Sequence, residues 1–152
     1  MIHAVDHINI IVSDLERSLR FYTEVLGLEE TKRAHLEGEW IETIVGLKGV
    51  RAEVAYVEAP AGAPRIELLQ YVTPRGAAPE ECGLSNTVGL RHIAFRVTDI
   101  EAVCERLRVA GVVPLSPPTI VPADVITHSA GHKVLCYFRD PDGVLLELAE
   151  YR

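Results

Sequence analysis

Apolar and polar residues alternate along one short segment in each half of the chain. The apolar positions are Ile8, Ile10 and Val12 in the first segment and Ile93, Phe95 and Val97 in the second. Because successive side chains of a strand point to opposite faces, each segment is predicted to form a strand with one apolar face. His7 and His92 precede the apolar series and are predicted to point away from that face.

The two segments belong to a longer internal repeat. Residues 5–16 (VDHINIIVSDLE) reappear as residues 90–101 (LRHIAFRVTDIE), 85 positions later. Each copy continues into apolar residues at helical spacing, and the two predicted helices end near Gly27 and Gly111. Capping boxes that begin at Ser13 and Thr98 are expected to start the helices.

Strand-like stretches follow each predicted helix. They cover about 29–36, 50–57 and 65–71 in the first half and 114–119, 133–139 and 145–151 in the second, with 39–45 as an extra strand or a loop. The pattern predicts an α+β fold of two tandem βαβββ modules in a single domain, 1–152. Module one covers about 1–71, a linker about 72–88, and module two about 89–152.

Composition narrows the classes of function. The chain has 152 residues, is 48% hydrophobic and carries a formal net charge of −7. Without a basic cluster, nucleic acid is not an expected partner, and no apolar run approaches the roughly 20 residues that cross a bilayer. Cys82, Cys104 and Cys136 form no disulfide pattern, and the N-terminus has no signal-peptide pattern, so a cytoplasmic protein is expected.

Two acidic residues lie within otherwise apolar strands. Glu67 occurs in Arg65–Tyr71 and Glu147 in Val144–Tyr151. A carboxylate in such a place is costly unless it is paired or bound to a metal. With His7 and His92 at equivalent positions of the repeat, these residues are candidate ligands of one divalent metal. Imidazole and carboxylate suit Zn, Ni, Co, Mn or Fe, and spacing does not choose among them.

Several of these segments resemble motifs of the vicinal oxygen chelate superfamily. It includes glyoxalase I, methylmalonyl-CoA epimerase, fosfomycin and bleomycin resistance proteins and extradiol dioxygenases. The resemblance covers nearly the whole chain and rests on Asp6-His7-Ile8, Phe21–Leu28, Ile66–Leu69, Arg91–Val97 and Phe138–Leu148. It implies a cup-shaped mixed sheet around one metal site with the helices outside, and in most members a homodimer. It also implies His7, Glu67, His92 and Glu147 as the metal ligands.

The chemistry implied by the resemblance is electrophilic catalysis. The metal stabilises an enolate or oxyanion of a small oxygenated carbonyl substrate, a class that includes thioesters and glutathione adducts. Glu147, ahead of Glu67, is expected to move the proton, which makes the protein a glyoxalase- or epimerase-like lyase or isomerase. The epimerases carry a second acid where this chain has Val45–Val50, which argues against two-base epimerisation of an acyl-CoA.

Two other functions remain open from the sequence. One is an Fe(II) extradiol-type dioxygenase, in which two histidines and one glutamate leave positions for O₂ and substrate. The other is a resistance protein that binds a drug or metabolite without catalysis. The candidate pocket residues are Asn9, Arg96, Trp40, Tyr56 and His132. His132 and His128 flank a probable loop, where they form part of a lid or are simply exposed.

Overall fold

The computed structural model describes residues 1–77, 84–122 and 131–152. The chain divides into two compact units, Met1–Ala78 and Pro79–Arg152. In the described part of the chain, no helix is both long enough and apolar enough to span a membrane.

The first unit is a four-stranded mixed sheet with helices. Its elements are β1 (His7–Ile11), α1 (Leu15–Arg20), which continues as a π-helical segment (Phe21–Val25), β2 (Glu29–Glu37), α2 (Glu39–Val45), β3 (Arg51–Ala59) and β4 (Gly62–Thr73). The strand order is β1-β4-β3-β2. β1 runs parallel to β4, and the other neighbours are antiparallel.

The second unit repeats this topology. Its elements are β5 (His92–Val97), α3 (Ile100–Val109), β6 (Thr119–Ile120), β7 (Lys133–Arg139) and β8 (Leu145–Tyr151). The strand order is β5-β8-β7-β6, with β5 parallel to β8 and the remaining pairs antiparallel. The predicted α+β fold of two tandem modules is confirmed.

Two of the predicted strands are wrong in kind or extent. Residues 39–45 form the helix α2, which ends at Gly46 in the left-handed conformation and buries only Ile41. The stretch predicted at 114–119 contributes only β6, a two-residue strand at Thr119–Ile120. Pro114, Pro117 and Pro118 have no backbone N–H to donate, so residues 114–118 cannot form a regular hydrogen-bonded ladder with a neighbouring strand.

The residues that cap the starts of α1 and α3 are Asp14 and Asp99, one position after the predicted caps Ser13 and Thr98. Asp14 Oδ1 accepts a hydrogen bond from the Arg17 N–H at 3.0 Å, and Asp99 Oδ1 accepts one from the Ala102 N–H at 2.8 Å. Asp14 has an extended backbone (φ −147°, ψ 108°), so the first helical residue is the one that follows it. A carboxylate in this position is also stabilised by the positive end of the helix dipole.

A second set of hydrogen bonds ties each helix to the sheet. The Leu15 N–H donates to Gln70 Oε1 at 2.8 Å, and the Ile100 N–H donates to Glu150 Oε2 at 3.2 Å. Gln70 and Glu150 each lie three residues beyond the candidate metal-binding glutamate of their strand. Odd spacing along a strand places them on the opposite face, so the helices pack on one face and the two glutamates point away from them.

Candidate metal centre

Glu67 lies in the middle of β4, between two core residues. Ile66 and Leu68 are buried, at 4% and 0% exposure, and face α1. On the opposite face, the residue paired with Glu67 on β1 is Asn9, and the residue paired with it on β3 is Tyr56. The sheet register therefore places polar side chains on both sides of the carboxylate.

Each oxygen of the Glu67 carboxylate has its own donor. Asn9 Nδ2 donates to Oε2 at 2.7 Å, and the Tyr56 hydroxyl donates to Oε1. The side chain of Glu67 is only 13% exposed, and His7 Nε2 lies 3.5 Å from Oε2. Burial, followed by the hydrogen bond to Glu67, raises the pKa of Tyr56 to about 12, which keeps its proton available for donation.

The imidazole of His7 is oriented by its other nitrogen. His7 Nδ1 lies 2.8 Å from Asp6 Oδ2, which also accepts from Arg65 Nη2 at 2.6 Å. The hydrogen bond from His7, and then that from Arg65, lowers the pKa of Asp6. A carboxylate at Nδ1 favours the tautomer in which Nε2 carries the lone pair, the arrangement common among metal-binding histidines.

The second unit contains the same pair on its own sheet. His92 Nε2 lies 3.4 Å from Glu147 Oε2. Glu147 is 4% exposed, and Tyr137 on β7 is its cross-strand partner. Burial, and then the hydrogen bond to Glu147, raises the pKa of Tyr137. Lys133 Nζ lies 3.9 Å from Glu147 Oε1.

The separation within each pair fits two ligands of one ion. A Zn²⁺ ion binds nitrogen and oxygen ligands at roughly 2.0–2.2 Å, and at tetrahedral angles two such atoms lie roughly 3.3–3.6 Å apart. The observed Nε2–Oε2 separations of 3.5 Å for His7–Glu67 and 3.4 Å for His92–Glu147 fall in this range. In residues 1–77, 84–122 and 131–152, no group of three or more His, Cys, Asp or Glu suited to a metal occurs. Each unit by itself therefore brings together one histidine and one glutamate, which are two candidate ligands.

Two of the other predicted pocket residues lie on sheets beside the pairs. Arg96 is on the His92 face of β5, with its guanidinium carbon 5.0 Å from the centroid of the Tyr151 ring. Tyr56 contacts His7 edge-on, with the ring centroids 6.1 Å apart. The position of Arg96 agrees with the predicted strand parity.

Trp40 and His132 lie elsewhere in the units. Trp40 is on α2 and is 55% exposed. His132 is exposed, and its backbone pairs with that of Arg152 beyond the end of β8. Arg152 is five residues from Glu147, or roughly 16 Å along a strand. A pocket role for Trp40 or His132 stays a prediction, and His128 lies outside the described residues.

The sequence-based interpretation missed Tyr137. It occupies the same place in the second unit as Tyr56 in the first: cross-strand from the glutamate and beside the histidine, with the His92 and Tyr137 ring centroids 5.2 Å apart. A signal was present, since a tyrosine precedes each glutamate by 11 or 10 residues. Recognising it required the register of the hairpins.

The fold and the paired residues define a class of protein: tandem βαβββ modules that each present one histidine and one glutamate on the sheet face opposite the helix. The sequence profile of the Glyoxalase/Bleomycin resistance protein/Dioxygenase superfamily matches residues 4–148. The chain belongs to this superfamily.

Individual relatives agree with that assignment. The chain is 30% identical over 148 residues to a probable lactoylglutathione lyase of Vibrio cholerae, with 97% of this chain and 91% of the relative covered. It is 29% identical over 150 residues to a 2-epi-5-epi-valiolone epimerase of Actinomyces sp, covering 95% and 78% of the two chains. A glyoxalase family protein of Bacillus cereus has a similar crystal structure, with a TM-score of 0.83, 31% identity, and coverage of 99% and 95%.

Proposed function

We propose that this protein is a metal-dependent lyase or isomerase that moves a proton next to the carbonyl of a small oxygenated substrate. The observation that carries the proposal is the repeated histidine–glutamate pair, with Nε2–Oε2 separations of 3.5 and 3.4 Å. His7, Glu67, His92 and Glu147 would hold one divalent ion. When bound, the ion supplies Lewis-acid stabilisation of the oxygen that gains negative charge.

Glu147 is the proposed proton acceptor. It is 4% exposed, and a buried carboxylate surrounded by few water molecules is a more effective base for a carbon acid. The proton leaves the carbon next to the carbonyl, rests on a carboxylate oxygen of Glu147, and returns to the same or the adjacent carbon. Return to the adjacent carbon, while the hydroxyl proton of the first carbon moves to the former carbonyl oxygen, gives isomerisation. Epimerisation requires delivery of a proton to the opposite face of the same carbon, from a second donor.

An apolar cluster on the Glu67 face supports a substrate that has an apolar part as well as polar oxygens. Ala52, Val54 and Leu69 are buried there, and the partly buried residues packed against them are Ala34, Leu36, Tyr56 and Tyr71. Tyr56 thus contacts both the cluster and the carboxylate. The partly buried side chains that cover this cluster are the ones that an apolar part of a substrate would contact.

The relatives favour this chemistry over oxygen activation. Those already described carry the names lactoylglutathione lyase and epimerase, and both names denote chemistry without O₂. Glutathione adducts of small 2-oxoaldehydes and small 2-oxygenated ketones are therefore the first substrates to assay.

Metal analysis of untagged protein tests the ligand set. We expect near-stoichiometric Zn, Ni, Co or Mn in the wild-type protein and its loss in His92→Ala. His35→Ala is the matched control, because His35 pairs with Glu53 and Glu37 on the exposed surface of β2 and should retain the metal. Predominantly iron would favour the dioxygenase instead. A wild-type protein that neither contains nor takes up metal would reject the proposal and favour a binding protein.

Proton transfer is tested by exchange of substrate hydrogen with deuterated water. Glu147→Gln keeps the size of the side chain and removes the base, so exchange should fall by roughly 10²–10⁴-fold. Glu150→Gln is the matched control, because Glu150 lies on the same strand but accepts its hydrogen bond from α3. Equal exchange in wild type and Glu147→Gln would remove Glu147 from this role.

A further inference from the structure

The sheet face that carries His92 and Glu147 also carries two cations beside one aromatic ring. Tyr151 lies on β8, four residues beyond Glu147 and therefore on the same face. The guanidinium carbon of Arg96, on β5, is 5.0 Å from the centroid of the Tyr151 ring. Lys133 Nζ, on β7, is 5.6 Å from the same centroid. Since β8 lies between β5 and β7, each neighbouring strand contributes one cation.

The ring of Tyr151 orients both cations. Both distances fall within the roughly 6 Å over which an aromatic ring attracts a cation. Arginine and lysine have long, flexible side chains, so ordering them around a ligand normally costs conformational entropy. Lys133 is restricted further, because its side chain is only 18% exposed and its Nζ lies 3.9 Å from Glu147 Oε1. Part of the ordering cost is therefore met before a ligand binds.

The internal repeat shows that these cations are a property of the second unit. The matching tyrosine of the first unit is Tyr71, and its cross-strand partner is Ala52. The residue 85 positions before Arg96 is Ile11, at the end of β1. The first unit thus forms the same sheet with apolar residues at both places. The cations are not required by the fold, which points to a role in binding.

The chemistry of the two cations suits an oxyanion. A guanidinium presents a planar fork of N–H donors that matches two oxygens of a carboxylate or a phosphate, and an ammonium adds a point charge with three donors. Glu147 balances part of the charge of Lys133. A divalent ion held by Glu147 would offset the charge of that carboxylate, so the positive potential beside Tyr151 would increase.

The position of the ring indicates where the anionic group lies in the substrate. Tyr151 is four residues from Glu147, which corresponds to roughly 13 Å along an extended strand. An anion held beside Tyr151 is therefore well separated from the carbon that loses its proton to Glu147. The two groups of the substrate would contact different parts of one sheet face.

We propose that Arg96 and Lys133, oriented by the ring of Tyr151, bind an anionic group of the substrate, a carboxylate or a phosphate that is several bonds away from the reacting carbon. The inference rests on the proposed function and deepens it, because it names a charge that the substrate carries. The two cations hold the substrate and take no part in the proton transfer.

NMR titration of Zn²⁺-loaded protein with inorganic phosphate and, separately, with acetate tests the inference without a substrate. The signals of Arg96 and Tyr151 should shift, and the anion with the lower dissociation constant identifies the group as phosphate or carboxylate. Low ionic strength is needed, because salt screens exposed charges. A repeat after removal of Zn²⁺ should still show the shifts, which excludes contact between the anion and the metal as their cause.

Variants assign the binding to the two cations. Arg96→Gln and Lys133→Gln should each weaken binding of the preferred anion by roughly 10-fold or more, since a hydrogen bond to a charged group contributes that much. Arg108→Gln and Lys48→Gln are the matched controls, because each of these exposed cations pairs with a nearby glutamate of its own unit. Tyr151→Phe keeps the ring and should bind as wild type does, whereas Tyr151→Leu should bind more weakly.

The outcomes separate this inference from the proposed function. Protein that takes up metal but shows no shift at Arg96 or Tyr151, or whose Gln variants bind as the controls do, would overturn the inference alone. Protein that takes up no metal yet binds the anion through Arg96 and Lys133 would reject the proposed function and support the anion site. Arg96 is exposed, so Arg96→Gln should fold and stays informative if Lys133→Gln does not.

Discussion

Glu150 offers a test of how the second unit fixes its helix. Its Oε2 accepts from the Ile100 N–H at 3.2 Å, and its side chain is 8% exposed. Ile100 is the first residue of α3 and is itself 0% exposed. Replacing Glu150 with alanine removes the acceptor and leaves a donor at the helix start without its partner.

The magnitude follows from the contacts. A hydrogen bond to a charged acceptor contributes about 1.5–3 kcal/mol to the free energy of unfolding. Arg152 Nη1 is 3.4 Å from Oε2, but Arg152 is 46% exposed and also pairs with Glu101, so its share is small. Glu150→Ala should cost about 2–3 kcal/mol, or roughly 4–12 °C in melting temperature for a chain of this size.

Glu150→Gln separates the hydrogen bond from the charge. It keeps an oxygen acceptor and should lose only the interaction of the charge with the helix dipole, about 0.3–1 kcal/mol. Gln70→Ala is the counterpart in the first unit, where a neutral amide accepts from the Leu15 N–H at 2.8 Å, so about 0.5–1.5 kcal/mol is expected.

Urea unfolding and calorimetry of the three variants give the comparison. The expected order of destabilisation is Glu150→Ala, then Gln70→Ala, then Glu150→Gln. Equal losses for Glu150→Ala and Glu150→Gln would refute the reasoning, because they would show that the charge rather than the acceptor stabilises the helix start.

Three further predictions concern stability and reactivity. Hydrogen bonds to Glu53 and then Glu37 raise the pKa of His35. This stabilisation is present below the ordinary pKa of about 6.5 and is lost as the pH rises through the folded value, so the advantage of wild type over His35→Gln in urea unfolding should shrink from pH 6 to pH 9. A difference in the free energy of unfolding between wild type and His35→Gln that stays constant over this pH range would contradict the prediction. Cys104 and Cys136 are buried with their sulfurs 3.6 Å apart, and burial raises the pKa of Cys136 to about 12, so neither should react with a thiol reagent until the protein unfolds. Rapid labelling of either cysteine in the folded protein, located by mass spectrometry, would refute this. Leu68→Ala should lower the free energy of unfolding by about 2–5 kcal/mol in urea, because Leu68 is 0% exposed and its loss leaves a cavity. A loss below 1 kcal/mol would mean that the core closes around the missing side chain.

The sequence alone was sufficient to predict the duplication and the faces of the strands. Ile8, Ile10 and Val12 alternate with polar residues, and the same spacing recurs in residues 93–97, so the orientation of His7 and His92 follows from parity. Such information is local, because the two-residue period of a strand is present in every short segment. The apolar neighbours of Glu67 and Glu147 predicted that these carboxylates need a partner, because an unpaired carboxylate among apolar residues is costly.

Local sequence patterns gave wrong predictions for residues 39–45 and for the helix caps, because the backbone conformation of neighbouring residues decides these features. Residues 39–45 contain apolar and β-branched residues, yet they form a helix between Gly38 and Gly46, both at positive φ. Asp14 and Asp99, and not the neighbouring Ser13 and Thr98, cap the helices because the cap is the last residue before the helical backbone begins. A motif written in sequence letters does not fix that choice within one residue.

The contacts of the candidate site required the tertiary structure. Tyr56 meets Glu67 and Tyr137 meets Glu147 because of the register of antiparallel pairs, while Asn9 reaches Glu67 across 58 positions of the chain. The repeat shows asparagine at position 9 and alanine at position 94, but not that these residues lie beside Glu67 and Glu147. Sequence periodicity determines which face a side chain occupies, but a hydrogen bond requires two atoms within about 3 Å, and only strand pairing brings distant residues that close.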